Sequence, residues 1–323
     1  MIAIVGAGRM GEGIALAFLA AGHPVLLADV KDRTEEERQL RRDEVRKRLA
    51  DRLRAMFGHA DALESLTLGD RSAKELADAT VVFEAVPEVM DVKREVFGWL
   101  GSQVPESAVL ASTTSTFLVT QIAELADRPE RVVNAHWLNP AELMPLVEVS
   151  RSDDTDPAAV ERLVELLREI GKVPVVCGPA AGYIVPRLQA LLMNEAARMV
   201  EEGVAGAAEI DLAVRAGLGP RFSVLGPLEF IDWGGGDILY YASRYLTGEL
   251  GERFQAPAIV EENMTGQRRG LQDGAGFYRF DPAGVPDYRA ARIREFEEIF
   301  RLREPQLRDG TPVPVRPEDD SAE

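Results

Sequence analysis

Short apolar runs alternate with segments of helical period along the first half of the chain. Ile2–Val5, Pro24–Val30, Thr80–Ala85, Ala108–Ser112, Arg131–His136, Leu146–Val149 and Val173–Val176 have the length and apolar character of strands. Between them, Gly11–Ala21 reads as a helix ending near Gly22, and Pro157–Ile170 as an amphipathic helix. Thr34 to about Phe57 is charged with scattered apolar positions, which predicts a long exposed helical excursion. Strands alternating with helices predict β-α-β units and a parallel sheet.

The pattern changes at Gly178-Pro179-Ala180-Ala181-Gly182, a run that reads as a hinge. Beyond it, Arg187–Glu202 places Leu188, Leu191, Leu192, Met199 and Val200 at helical spacing. Further helices are predicted over Ala207–Ala216, Ile238–Leu246 and Pro286–Leu302. The expected architecture is a Rossmann-type doubly wound α/β domain over 1–178 and an all-α domain over 179–302. A mobile tail rich in Pro and acidic residues is expected over 303–323.

A net charge of −17 argues against nucleic acid as a general partner, because phosphate contacts need a basic surface. The exception is local: Arg41, Arg42, Arg46, Lys47, Arg48, Arg52 and Arg54 crowd one segment. That run reads either as a solvated helix face laced with ion pairs or as a landing surface for a phosphorylated substrate tail. One cysteine and three histidines are too few for a standard zinc cluster, so no metal is expected. No run approaches the roughly 20 apolar residues that span a bilayer. With no signal-peptide pattern at the start, a cytoplasmic location is the expectation.

Gly6-Ala7-Gly8-Arg9-Met10-Gly11 places a GxGxxG between the first strand and the first helix. The glycines suit a tight turn, close approach of backbone to a pyrophosphate, and close packing of helix on strand. Free N–H groups and the dipole at the helix start favour negative charge there. Asp29 closes the second strand, where an acid accepts hydrogen bonds from adenosine ribose hydroxyls and repels a 2′-phosphate. NAD is therefore expected over NADP, with Lys31 and Arg33 softening the preference.

His136 ends an apolar strand within Asn134-Ala135-His136-Trp137-Leu138-Asn139-Pro140, and Glu148 follows in Leu146-Val147-Glu148-Val149. Strand ends in such a sheet face the cofactor cleft. A histidine there can take a hydroxyl proton while hydride leaves for a nicotinamide, and a carboxylate on its other nitrogen fixes the tautomer. A strand-end histidine or carboxylate alone is more often structural; the Asn-Pro step and the cofactor loop favour catalysis here.

With these motifs in this order, the sequence from Met1 to about Asp281 resembles the 3-hydroxyacyl-CoA dehydrogenase family. The resemblance implies His136 as general base, Glu148 as its orienting partner, and Ser115, within Ser112–Thr116, as the residue binding the substrate hydroxyl. It also implies Glu88, Lys93 and Asn139 near the nicotinamide half of NAD, and a homodimer formed through the helical domain. Gly274-Ala275-Gly276-Phe277-Tyr278 fits the family's closing motif.

Three departures bear on substrate. Met144-Pro145 stands where acyl-CoA members usually read Met-Lys, and Gly182-Tyr183-Ile184-Val185-Pro186-Arg187 where they read Gly-Phe-x-x-Asn-Arg. Gly217–Pro227, which contains Arg221, looks like the corresponding stretch of the L-gulonate 3-dehydrogenase (lambda-crystallin) and L-carnitine dehydrogenase branch, whose members oxidise free carboxylates. A guanidinium can grip a carboxylate through two parallel hydrogen bonds; otherwise Arg221 is a surface or interface residue. The leading expectation is a small free 3-hydroxy carboxylate oxidised to the 3-keto acid. A 3-hydroxyacyl-CoA such as 3-hydroxybutyryl-CoA is the alternative, and a catalytically silent NAD-binding protein ranks behind both.

Overall fold

The computed structural model describes residues 1–309. Among these residues eight strands form one sheet in the order β3-β2-β1-β4-β5-β6-β7-β8. They are β1 (Ile2–Val5), β2 (Val25–Ala28), β3 (Leu66–Gly69), β4 (Val81–Glu84), β5 (Val109–Ser112), β6 (Val132–Trp137), β7 (Leu146–Ser150) and β8 (Val173–Cys177). The order runs outward from β1 in both directions, which makes the sheet doubly wound with its switch point beside the first glycine loop. β1, β2, β4, β5 and β6 are buried throughout, as uninterrupted apolar strands covered on both faces must be.

The parallel sheet expected from the alternating pattern forms from β3 through β6, and one pairing beyond it departs from that pattern. β7 runs antiparallel to β6, and β8 is parallel to β7, so the last two strands are reversed. The cause is the link between Trp137 and Leu146, too short for the crossover of about a dozen residues that a parallel neighbour needs.

The helices of the sheet region are α1 (Arg9–Ala20), α2 (Glu35–Phe57), α3 (Met90–Gln103), the short α4 (Val119–Ala123) and α5 (Pro157–Glu169). α2 begins in a capping box, with the Thr34 side chain accepting from the Glu37 backbone and Glu37 reaching back to Thr34. It ends at Gly58, whose φ of 80° supplies the left-handed turn. α5 starts with Asp156 as cap and Pro157 in the first turn. One core face packs α1, α2 and α5 on the sheet around Phe18, Phe83 and Trp137; the other gathers Val96, Phe97 and Leu100 of α3.

Among the described residues seven further helices follow: α6 (Val185–Glu201), α7 (Ala207–Ala213), α8 (Gly219–Val224), α9 (Pro227–Gly234), α10 (Gly236–Leu250), α11 (Ala258–Thr265) and α12 (Val285–Asp309). A π-helical turn, Val214–Leu218, links α7 to α8. The chain divides into two compact units, Met1–Met193 and Asn194–Glu323, with the division inside α6. In the second unit the buried Asp232 carboxylate accepts from the backbone N–H groups of Phe277 and Tyr278, pinning the glycine-rich turn. α12 continues through the expected break at Arg303 to Asp309; the rest of the expected tail, 310–323, lies outside the described residues.

Candidate active site

The glycine loop follows β1 directly. Gly6 has φ of +117°, and a Cβ there would sit 2.4 Å from the Ala85 carbonyl oxygen. A Cβ on Gly11 would come 1.9 Å from the Gly6 carbonyl oxygen, so α1 rests against the loop backbone. Gly8 differs: nothing lies within 4 Å of where its Cβ would be. It is also the N-cap of α1 and gives it no side-chain cap, which leaves the first N–H groups of the helix open to an anion. Gly6, Gly8, Arg9 and Met10 border a cavity of about 550 Å³ that reaches Asp29 at the end of β2. The size and the uncapped helix start suit the adenosine and pyrophosphate of NAD. Asp29 accepts from Arg33 Nε at 3.0 Å and from the Lys31 backbone N–H at 3.2 Å; of the two cations, the Arg33 guanidinium is the one that pairs with it among the described residues.

Glu88 and Lys93 belong to a polar cluster at the ends of β4 and β5, in which Glu84, Lys93, Ser112 and Thr114 are buried and Glu88 is exposed. Lys93, on α3, is 0% exposed, and its ammonium lies 2.9 Å from both oxygens of Glu84 and 3.3 Å from Glu88. It faces carboxylates rather than open space. Glu84 also accepts from Ser112 Oγ at 2.6 Å and from the Val86 backbone at 2.9 Å. Glu88 receives the Thr114 hydroxyl and the backbone N–H groups of Ser115 (3.1 Å) and Thr116 (3.0 Å). Burial alone would raise its carboxyl, but the Thr114 hydroxyl, the Lys93 charge and the Thr116 N–H together hold it below the usual carboxylate range. Glu88 thus ties down the loop that carries Ser115, whose own hydroxyl is exposed and has no partner among the described residues.

His136 and Glu148 are directly paired across β6 and β7. Antiparallel pairing puts both side chains on one face, and the distance from Nδ1 to a Glu148 oxygen is 2.8 Å. Glu148 is 0% exposed and His136 only 7%. The other Glu148 oxygen accepts from the backbone N–H groups of Ile184 (2.8 Å) and Val185 (2.9 Å), at the start of α6. A carboxylate is favoured at a helix N-terminus. Pro186 fits this first turn because it has no N–H to leave unpaired. With Nδ1 on Glu148, Nε2 has no bond to any described residue. Asn139 lies exposed just beyond β6.

Several side chains that the sequence did not single out complete this centre. Tyr183 stacks on the His136 ring, centroids 4.8 Å apart and planes 12° apart. Its hydroxyl donates to the Thr114 carbonyl at 2.7 Å and accepts from Asn134 Nδ2 at 3.0 Å. Burial pushes its phenol up, so it stays a neutral donor. The signal available for Glu84, Ser112 and Asn134 was a polar residue near the C-terminal end of three apolar strands, all in one register. Trp137 belongs to the core against Phe18 and Phe83. The buried Lys172, its pKa lowered by burial, donates to the carbonyls of Ala141 and Met144 at 2.8 Å each, holding the β6–β7 link.

Arg221, on α8, is exposed; its guanidinium lies 5.5 Å from the Phe230 ring and forms no ion pair among the described residues. The basic segment of α2 behaves differently. Arg41 and Arg48 reach Glu12, Arg42 reaches Asp70, Arg52 reaches Glu142, and Lys47 and Arg54 reach Asp51. Arg46 alone of the seven makes no ion pair among the described residues.

A dinucleotide loop at the switch point, and a buried histidine–carboxylate pair at the strand ends of the same unit, define the class of NAD-dependent oxidoreductases. The profile described as "3-hydroxyacyl-CoA dehydrogenase, NAD binding domain" matches residues 1–180, and "3-hydroxyacyl-CoA dehydrogenase, C-terminal domain" matches 182–280. The chain belongs to the 3-hydroxyacyl-CoA dehydrogenase family. It is 34% identical to the fatty acid oxidation complex subunit alpha of Shewanella amazonensis over 87% of this chain; it spans only 39% of that relative's length. It is 29% identical to the 5-formyl-3-hydroxy-2-methylpyridine 4-carboxylate 5-dehydrogenase of Mesorhizobium japonicum, covering 94% of this chain and 98% of that one. Among solved structures, the 3-hydroxyacyl-CoA dehydrogenase of Archaeoglobus fulgidus has a TM-score of 0.75 at 32% identity, covering 93% and 98% of the two chains. No helix among the described residues is long and apolar enough to cross a membrane.

Proposed function

We propose that the protein oxidises the 3-hydroxy group of a small free 3-hydroxy carboxylate to the 3-keto acid, with His136 as general base. The observation that carries this is the fully buried Glu148, which accepts two backbone N–H groups on one oxygen and His136 Nδ1 on the other. That arrangement keeps the proton on Nδ1 and leaves the Nε2 lone pair to take the hydroxyl proton. When bound, NAD supplies the acceptor for the hydride leaving the same carbon. Ser115 Oγ, on a loop braced by Glu88, orients the substrate hydroxyl, and the imidazolium formed is neutralised by Glu148. Gly6, Gly8, Arg9, Met10, Gly11 and Asp29 hold the adenosine and pyrophosphate half of the cofactor. Asn139 and Glu88 serve the nicotinamide half, Lys93 through the carboxylates it bridges.

Two observations favour a free acid. Arg221 has no carboxylate partner within the protein among the described residues, so its guanidinium is available to the carboxylate of a substrate. The basic face of α2 is largely matched by the protein's own acids, which leaves little of it for the phosphates of a thioester carrier. The relative from Mesorhizobium, named for a pyridine carboxylate, is a free acid enzyme by name. The second reading, a 3-hydroxyacyl-CoA substrate, is favoured by the likeness to the Archaeoglobus enzyme over nearly the whole chain. We further propose a homodimer through the helical unit, supported by the exposure of Val200, Leu212, Ile238 and Tyr245 within it.

The test is NAD reduction with a split panel: L-3-hydroxybutyrate, L-gulonate and L-carnitine against L-3-hydroxybutyryl-CoA. Faster turnover of a free acid is expected. A clear preference for the thioester refutes the free-acid reading. His136→Gln should abolish turnover on the preferred substrate while NADH still binds; near-normal turnover would remove the general-base assignment.

A further inference from the structure

We infer that Tyr183 is a positioning residue for this reaction, its ring holding the imidazole of His136 in plane while its hydroxyl fixes the loop that carries Ser115. The inference rests on the roles proposed above for His136 and Ser115. The backbone at Tyr183 is unusual. Tyr183 has φ of +46°, and Gly182 before it has φ of +76°, two left-handed residues in succession. A bulky residue there is an outlier, and such a conformation persists only where surrounding contacts over-determine it.

Those contacts all lead to the site. The backbone just past Tyr183 gives the Ile184 and Val185 N–H groups to Glu148. The ring lies nearly parallel to the imidazole that Glu148 orients. The hydroxyl donates to the carbonyl of Thr114, the residue immediately before Ser115. Asn134, two residues before His136 on β6, donates both to that hydroxyl and to the Phe117 carbonyl at 3.0 Å. The Ser115 loop is thus held from one side by Glu88, through its N–H groups and the Thr114 hydroxyl. From the other side it is held through its carbonyls by Tyr183 and Asn134. Tyr183 touches both the base and this loop. A phenylalanine at this position would supply the stack but not the tip. The tyrosine therefore adds a link between base and loop.

The two parts of the side chain separate experimentally. Tyr183→Phe keeps the ring and leaves the buried Thr114 carbonyl without its donor; Tyr183→Leu removes both. Since small misplacements of reacting groups cost large factors in rate, kcat should fall about 10-fold in Tyr183→Phe and about 100-fold in Tyr183→Leu. NADH affinity, read by fluorescence titration, should stay within about 2-fold, which also shows that each variant is folded. The readout that a merely structural role would not move is coupling. If the hydroxyl acts through the loop, the Tyr183→Phe/Ser115→Ala double variant should lose little more kcat than Ser115→Ala alone. Wild-type kcat in Tyr183→Phe, or full additivity with Ser115→Ala while His136→Gln is inactive, overturns the inference alone. Normal turnover in both His136→Gln and Ser115→Ala overturns the underlying reading and this inference with it.

Discussion

Replacing Glu148 with glutamine alters the charge of the buried pair and almost nothing else. The amide side chain has nearly the volume of the carboxylate, and its carbonyl oxygen can still accept from Ile184 and Val185, so those backbone groups keep their partner. Its NH₂ must then face His136 Nδ1, which becomes an acceptor and moves the ring proton to Nε2. The base is therefore held in the tautomer that cannot accept a proton at Nε2. The charge term can be worked separately. Two unit charges about 4 Å apart at an effective dielectric of about 20 attract by about 4 kcal/mol. Losing that stabilisation of the imidazolium is worth about 10³-fold in rate, and the tautomer error carries the expected loss towards about 10⁴-fold. The assay is initial-rate NADH formation on the panel substrate that turns over, with NADH titration and thermal unfolding as controls. The unfolding free energy should fall by less than about 2 kcal/mol, whereas Glu148→Ala, which orphans both N–H groups, should cost about 3–5 kcal/mol. A folded Glu148→Gln enzyme within about 10-fold of wild-type kcat would refute the reasoning.

Arg221→Met should raise KM for a free acid by about 10- to 100-fold, the loss of a charge-assisted hydrogen-bonded pair, and leave KM for 3-hydroxybutyryl-CoA nearly unchanged; equal effects on both would remove Arg221 as the carboxylate anchor. Gly11→Ala puts a methyl 1.9 Å from the Gly6 carbonyl oxygen, so the loop must shift. NADH affinity should drop at least about 10-fold, with about 1–3 kcal/mol lost from stability by overpacking; unchanged affinity would show that the loop tolerates movement. Because the Glu88 carboxyl is held below its ordinary value, its contribution is complete above the unfolded carboxylate pKa of about 4.3 and disappears as pH falls through the lower folded value. The gap in unfolding midpoint between wild type and Glu88→Gln should therefore be flat at neutral pH and shrink below about pH 4; a gap that widens there contradicts the assignment.

The parts of this fold that were legible in the sequence are those where local pattern and tertiary role coincide. β1, the glycine turn and α1 each carry their own signal, and so does α5 with its Asp-Pro start. α3 escaped because its period is broken at Lys93, a charged residue that reads as surface yet lies wholly inside, neutralised by Glu84 and Glu88. β3 escaped because only Leu66 of its four residues is buried, which leaves a weak pattern. The reversal of β7 and β8 was not legible in their composition, since an apolar run has no direction; the short link after Trp137 was the readable clue. At the site, the motif positions for His136 and Glu148 were readable, but their neighbours were not. Tyr183 meets His136 only through an unusual backbone turn, and its hydroxyl bond to Thr114 joins residues 69 positions apart.

The amides of Ile184 and Val185 donate to a side-chain carboxylate rather than to a backbone carbonyl. That makes them native spectroscopic reporters of the centre. In an amide nitrogen–proton correlation spectrum, the two resonances should move together whenever the charge on Glu148 is partnered differently. Substrate turnover, protonation of His136 and the Glu148→Gln substitution would each leave a distinct signature on the same pair of peaks. No label need be introduced beside the histidine, and the cofactor itself need not be observed.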